Sequence, residues 1–237
     1  MSYSGGNEDR LSSLPEELNS SRYPVPPSSV SKWIDKAVKL NVCELLIKVR
    51  LFELPLSLFT CKTLTKLSLA STNMRGFVVP SLVILPALKT LDITVKTKVR
   101  ENLPLPKLPN LKRLELKGFC SRWLLAIQFL ETSSTLEHLC IEEPNESYWI
   151  EPQRVPTCML SKLITMKITR CMGRECDIRF LEYMLRNAEV LKTLTITCGI
   201  LRMRDEMALC ARLLKFPRAS RHCEIHFVGK WLNSTGN

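Results

Sequence analysis

The sequence predicts an α/β fold built by stacking one repeated unit. A short apolar phrase recurs at nearly constant spacing, and residues inside each copy alternate between apolar and polar. Successive copies begin 22, 24, 23, 25, 27 and 28 residues apart. A period of roughly 20–29 residues is typical of leucine-rich repeats, so the sequence predicts a leucine-rich-repeat solenoid of parallel strands. The phrase reads Leu-x-x-Leu-x-Leu or a close variant, and its seven copies begin at Val42, Leu64, Leu88, Leu111, Leu136, Leu163 and Leu191.

The N-terminal part of the chain predicts a disordered segment followed by a capping helix. Residues 1–29 are rich in Ser, Gly, Asn and Pro, and prolines at 24, 26 and 27 disfavour a helix there. From residue 30 to Asn41, apolar side chains fall on one helical face and charged ones on the other. A solenoid needs such a cap, because its end repeat would otherwise expose an apolar edge.

The segments between the predicted strands change character along the chain. The early returns, within residues 42–110, contain prolines, which predicts irregular or 3₁₀ conformations. The later, longer repeats have room for helices, one through 123–130 and one that ends at Asn187 with Asp177 as its N-cap. A helix over 202–215, a strand over 224–228 and a tail over 229–237 complete the chain.

The positions between apolar residues of each strand are predicted to face solvent, because side chains alternate along a strand. Stacked strands would align these positions in two columns on the concave face, where we expect a protein partner to bind. The first column is Glu44, Lys66, Thr90, Arg113, His138, Thr165 and Thr193. The second is Leu46, Ser68, Asp92, Glu115, Cys140, Lys167 and Thr195, of which all but Leu46 are candidate binding residues.

Composition argues against several other classes of protein. The most apolar run, 77–88, has twelve residues and two prolines, well short of the ~20 that span a membrane, and residues 1–30 lack the apolar core of a signal peptide. The ten cysteines are therefore expected to be reduced thiols. His222 and His226 alternate like strand residues, so we expect no metal site and no cofactor.

A search for catalytic and nucleic-acid-binding patterns gives weak candidates only. The sequence has no glycine-rich phosphate loop and no H-E-x-x-H or G-x-S-x-G motif. Cys140 lies near His138, but no third group is placed to orient a base, so we expect no enzymatic activity. Residues 89–122 carry nine basic and three acidic side chains, whereas 123–153 carry six glutamates and no Lys or Arg. Because aromatic residues are not interleaved, this basic region is the weaker hypothesis of nucleic-acid binding.

Three stretches resemble one family, the plant-type F-box/FBD/leucine-rich-repeat proteins. Residues 9–18, Asp-Arg-Leu-Ser-Ser-Leu-Pro-Glu-Glu-Leu, resemble the opening of an F-box. Residues 30–45 resemble the linker into the repeats, and 155–192 together with 216–220 resemble the FBD module. The resemblance implies a substrate receptor of a Skp–cullin–F-box ubiquitin ligase, in which the repeats hold a target and Leu14, Pro15 and Leu18 begin the adaptor-docking helix.

The resemblance also has a departure from the family pattern. Only the first phrase of the F-box is recognisable, because eleven residues separate Leu18 from Val30, so we expect impaired docking on the Skp-type adaptor. The alternatives are a free-standing scaffold or competitor, or an inactive truncated paralogue without a ligase role. The resulting domain prediction is 1–29 disordered, 30–41 cap, 42–154 repeats, 155–228 an FBD-like region that completes the solenoid and 229–237 tail. We expect a monomer in the cytoplasm or nucleus, with no membrane partner.

Overall fold

The computed structural model of the protein describes residues 27–51, 54–73, 85–95, 105, 107–118, 123–142, 144 and 148–231. Within these residues, eight strands form a single sheet in which every neighbouring pair is parallel. The strands are β1 (Glu44–Leu51), β2 (Lys66–Asn73), β3 (Thr90–Val95), β4 (Arg113–Gly118), β5 (His138–Glu142), β6 (Thr165–Cys171), β7 (Thr193–Cys198) and β8 (Glu224–Val228). The helices are α1 (Pro27–Lys39), α2 (Leu56–Phe59), α3 (Trp123–Thr132), α4 (Thr157–Ser161), α5 (Glu175–Asn187) and α6 (Met203–Lys215).

The strand order follows the chain from β1 to β8, so each repeat adds one strand beside the previous one. Equivalent leucines pair across the sheet, as Leu67 does with Leu91 and Leu91 with Leu114. These leucines are buried, and they join the buried side chains of the helices in one hydrophobic core. The molecule is thus α/β with one open parallel sheet, which is compatible with the predicted solenoid.

Helix α1 begins earlier than the sequence indicated. It starts at Pro27 rather than at residue 30, because proline has the φ of a first helical residue and lacks only an N–H that would be unpaired there. Asn41 follows the helix with a φ of 57°, the left-handed conformation that ends a helix, as predicted. Val30 and Ile34 are buried, whereas Trp33 of the same predicted apolar face is exposed.

The return between β1 and β2 corrects the prediction of an irregular or 3₁₀ segment. Its four residues Leu56–Phe59 form one turn of α-helix, with Pro55 just before the first helical position. Proline is compatible with that place because no helical N–H bond is lost there. Leu58 and Phe59 of this turn are buried. Pro80 and Pro104, in the next two returns, lie outside the described residues.

Helix α5 corrects the prediction that Asp177 is an N-cap. The helix begins at Glu175, and Asp177 is its third residue. The Asp177 carboxylate is fully buried and accepts the Arg174 backbone N–H at 3.0 Å and the Trp123 indole N–H at 3.2 Å. Trp123 also stacks on Phe180, with ring centroids 4.0 Å apart. Asp177 therefore holds the start of α5 against α3 of an earlier repeat.

The C-terminal helix and strand match the prediction closely. Helix α6 and strand β8 have nearly the predicted limits, and β8 pairs with β7. Glu206 of α6 is fully buried, and its carboxylate accepts the backbone N–H groups of Lys230 and Trp231, each at 3.0 Å. Gly229 makes this approach possible, because a Cβ there would lie 1.9 Å from the carboxylate. The chain after β8 is therefore fastened to α6.

Candidate functional site

The side of the sheet that does not face the core, here called the open face, carries the predicted binding residues. Because the strands pair in register, the two columns are continuous from β1 to β7 as predicted. Each of the fourteen column residues is exposed or half-buried, as its alternation with buried neighbours requires. The fold thus brings these side chains together on one surface; whether they bind a partner stays a prediction.

The structure extends both columns by one strand. Glu224 pairs with Thr193 and His226 with Thr195, so β8 is an eighth member of the sheet. The signal was present in the sequence as His222-x-x-Ile225-x-Phe227, a copy of the phrase without leucine. A search for leucines alone overlooks it.

A third column on the open face was missed as well. It lies two residues further along each strand, and the same alternation of side chains could have revealed it. Its members are Lys48, Ala70, Thr94, Lys117, Glu142 and Thr169. Beyond β6 the column stops, because the register of β6 and β7 shifts between Ile168 and Cys171.

Opposite charges on the open face are paired with one another. Glu44 and Lys66 lie 3.2 Å apart across β1 and β2, and Glu115 and Lys117 lie 3.1 Å apart along β4. Although burial opposes it, the hydrogen bond and charge of Glu115 raise the pKa of Lys117. The face is therefore patterned in both signs rather than dominated by one.

Asp92 in β3 is an acid of the open face whose pKa is raised. Burial raises the pKa of its carboxyl group, and the negative charge of Glu115 raises the pKa further. Lys117, Lys66 and Arg113 act in the opposite direction without cancelling the shift. An ionised Asp92 would therefore gain from a cation brought by a partner.

The pair Cys140 and His138 lacks the features of a thiol nucleophile and its base. Burial and the charge of Glu115 raise the pKa of the Cys140 thiol to about 11, so the thiolate is scarce at neutral pH. The His138 Nδ1 lies 2.7 Å from the Thr165 hydroxyl, and burial together with Arg113 lowers the His138 pKa. The geometry favours a neutral hydrogen-bonding surface at this place.

The basic region 89–122 does not form a uniform positive stripe in its described part. Lys112 pairs with Glu137 at 2.8 Å, and Lys117 pairs with Glu115. Asp92 stands beside Glu115 on the adjacent strand. A phosphate backbone needs unpaired cations, so this arrangement offers little support for nucleic-acid binding.

The described residues also bear on metal binding, on membrane insertion and on adaptor docking. No group of three or more His, Cys, Asp and Glu side chains among them could hold a metal ion. None of the helices in this part of the chain is both long and apolar enough to cross a membrane. Leu14, Pro15 and Leu18, the predicted start of the adaptor-docking helix, lie outside the described residues.

The C-terminal half of the chain contains a match to a known protein family. Residues 151–196 match the family model named FBD, a range that contains α4, β6 and α5 and almost reaches the end of β7. Three relatives from Arabidopsis thaliana are each described as an F-box/FBD/LRR-repeat protein. The first is 29% identical, and the match covers 65% of this chain and 35% of the relative. The second is 33% identical, with 53% of this chain and 29% of the relative covered. The third is 30% identical, with 57% of this chain and 34% of the relative covered.

The chain is similar to plant F-box/FBD/LRR-repeat proteins. It spans about a third of the length of the curated relatives that it matches. No solved structure matches it. The FBD match contains β6, most of β7 and Asp177, whose carboxylate accepts the indole N–H of Trp123 outside the match. The matched region therefore shares one sheet and one core with the described residues before it.

Proposed function

We propose that this chain is a protein-binding module, a leucine-rich-repeat solenoid whose concave open face holds a target protein. The observation that carries the proposal is the set of in-register columns, which place accessible side chains from eight successive strands on one surface. Strands lie about 4.8 Å apart, so neighbouring positions can contact neighbouring side chains of a folded partner. The module has no catalytic role of its own.

The chemistry of the open face favours a protein over a nucleic acid. Lys66, Arg113 and Lys167 alternate with Asp92 and Glu115, and threonines occupy much of the rest. Charges of both signs at fixed positions select a partner by complementarity, since a like charge placed opposite costs binding energy. A nucleic-acid surface would instead need one sign throughout.

The family context supports a place beside ubiquitin ligases. Relatives are named for an F-box, an FBD and leucine-rich repeats, and we infer a substrate-receptor role that brings a target to a Skp–cullin complex in the cytoplasm or nucleus. The second candidate, a scaffold or competitor that binds targets without a ligase, differs only in adaptor binding. A pull-down with purified Skp-type adaptor distinguishes them: 1:1 binding that is lost in a Leu14→Ala, Leu18→Ala variant supports the receptor, and no binding supports the scaffold.

The open face is tested by reversing two of its charges. The Lys66→Glu, Arg113→Glu double variant should capture its main protein partner about tenfold less well, because two central cations become anions. Capture by the tagged monomer is measured by quantitative mass spectrometry and then by titration with the purified partner.

The matched control is Lys32→Glu with Arg204→Glu. Both residues are exposed, Lys32 within α1 and Arg204 in the first turn of α6, and the net charge changes equally. Capture by this control should equal that of the unmodified chain. Equal capture by the open-face variant would place the binding surface elsewhere.

A further inference from the structure

The helix side of the sheet carries a pocket that is separate from the open face. It has a volume of about 250 Å³, and α5 forms one wall while the segment before α4 forms the other. Four residues of α5 in this wall are spaced three or four positions apart and therefore lie on one side of the helix. They are Glu175, Arg179, Glu182 and Arg186. The lining residues are Trp149, Glu151, Glu175, Arg179, Glu182, Tyr183 and Arg186.

Aromatic rings give this pocket a rigid apolar wall. The Trp149 ring meets Phe180 edge-on, with centroids 5.5 Å apart at 79°, and lies 5.5 Å from the Tyr183 ring. Phe180 is itself stacked on the buried Trp123. Trp149 is only half-buried, so part of this fixed indole remains available to a ligand.

The Tyr183 hydroxyl is a polar group without a partner. Tyr183 is only 2% exposed, and its hydroxyl makes no hydrogen bond within the described part of the chain. Leaving such a group unpaired destabilises the fold, so a buried hydroxyl without a partner beside a pocket indicates a place for a ligand. Burial, followed by the charges of Glu151 and Glu131, raises the pKa of Tyr183 to about 12, while Arg186 acts in the opposite direction. The hydroxyl therefore stays protonated at neutral pH.

The rim retains one carboxylate that is not committed to an arginine. Arg186 pairs with Glu151 at 2.5 Å, and Arg179 pairs with Glu175 at 3.3 Å. Arg212 also binds Glu175, at 3.0 Å. Glu182 forms no ion pair with any residue that the structure describes, and it is half-buried between the two paired arginines.

We propose that this pocket receives an arginine side chain of a partner protein. A planar guanidinium stacks on an indole face and presents several donors in a fixed fork, which suits a wall of Trp149 with Glu182 and the Tyr183 hydroxyl as acceptors. The chain would then hold proteins at two places, with the FBD side independent of the open face. Most of the lining belongs to the FBD match, so we place this second contact in that module.

The test titrates the full chain with the peptide acetyl-Ala-Ala-Arg-Ala-Ala-amide while observing the indole N–H signals. The chain has four tryptophans, and a Trp149→Phe variant assigns the signal of interest. The arginine peptide should shift the Trp149 signal saturably, with a dissociation constant on the order of 1–10 mM for a single side chain. Glu182→Gln should weaken binding about tenfold through loss of a charge-assisted hydrogen bond, and Tyr183→Phe should weaken it less.

Matched peptides and a matched variant make the result decisive. The citrulline peptide has the same shape without charge and should bind far more weakly, and Glu189→Gln, an exposed carboxylate outside the pocket, should leave binding unchanged. The proposal would be overturned if the citrulline peptide bound equally well or if a glutamate peptide bound better. It would also be overturned if Glu182→Gln left binding unchanged or if no peptide gave a saturable shift.

Discussion

Among single residues, Asp92 places a charge on the open face and lowers the stability of the folded state at neutral pH. Its pKa is raised first by burial and then by Glu115. The folded state therefore holds the Asp92 proton more tightly than the unfolded state. The contribution of this group to stability is full below its ordinary pKa of 3.8 and is lost as the pH rises through the folded value. At neutral pH, ionised Asp92 opposes folding.

Substitution of Asp92 by asparagine should therefore stabilise the protein at neutral pH. We expect a higher urea midpoint for Asp92→Asn than for the unmodified chain at pH 7, and the gap should shrink toward pH 3. Asp205→Asn is the control, since that exposed carboxylate lies in the first turn of α6 and its loss should lower the midpoint slightly at pH 7. A lower midpoint for Asp92→Asn at pH 7 would contradict a raised pKa of Asp92 in the folded state.

At the scale of elements, helices from different repeats are fastened to one another by buried polar contacts. The Trp123 indole N–H donates to the Asp177 carboxylate, which also accepts the backbone N–H of Arg174, the residue before α5. Burial raises the pKa of Asp177, although Arg174 and the hydrogen bonds counteract it. The contact therefore couples α3 to α5 over 54 positions of sequence.

A double-mutant cycle measures that coupling. Trp123→Phe and Asp177→Asn should each destabilise the chain, and the double variant should lose less than the sum of the two. We expect a coupling energy of about 1–2 kcal/mol from urea unfolding, because one buried hydrogen bond is shared. The same cycle between Trp123→Phe and Glu189→Gln should be additive, and additivity in the first cycle would mean that the bond contributes nothing.

The elements were largely predictable where periodicity sets them. Strands β1 to β7 follow from the repeated phrase, and α3 and α6 follow from apolar residues three or four positions apart. The N-cap at Asp177 was predicted wrongly, since an acid before an apolar run fits both a cap and the first turn of a helix. The structure distinguishes the two, because the helix begins at Glu175 and the Asp177 carboxylate accepts the backbone N–H of Arg174.

For the molecule as a whole, stability should rise from the ends of the sheet toward its middle. The same repeat position holds Leu114 in β4 and Ile225 in β8, yet Leu114 is fully buried and Ile225 only partly. A stacked array gains its stability from neighbours on both sides. An end strand has one such neighbour.

Alanine at these two positions tests that gradient. Leu114→Ala should cost about 2–5 kcal/mol, the range for a fully buried leucine, and Ile225→Ala should cost clearly less. The comparison uses urea unfolding together with hydrogen exchange, in which β8 amides should exchange before those of β4. Equal losses for the two variants would show that the array unfolds without an end effect.

Contacts between distant segments were beyond what the sequence could indicate. In the sequence, helix α4 and strand β6 lie between the pocket residues Trp149 and Glu182, and no periodicity relates the two. Glu206 is likewise a glutamate within an amphipathic helix and would be expected to face solvent. Its burial depends on the backbone of residues 230 and 231, which a sequence pattern cannot place.

The hydrogen bonds from Lys230 and Trp231 to Glu206 affect how copies of the protein associate in solution. Within the described residues, one side of strand β8 pairs with no other strand, and unpaired strand edges are templates for aggregation. Because Lys230 and Trp231 are drawn to α6, the strand stops after five residues, at Val228. A short edge that ends beside a lysine is a poor template for another chain, so this buried carboxylate also protects the protein against edge-to-edge polymerisation.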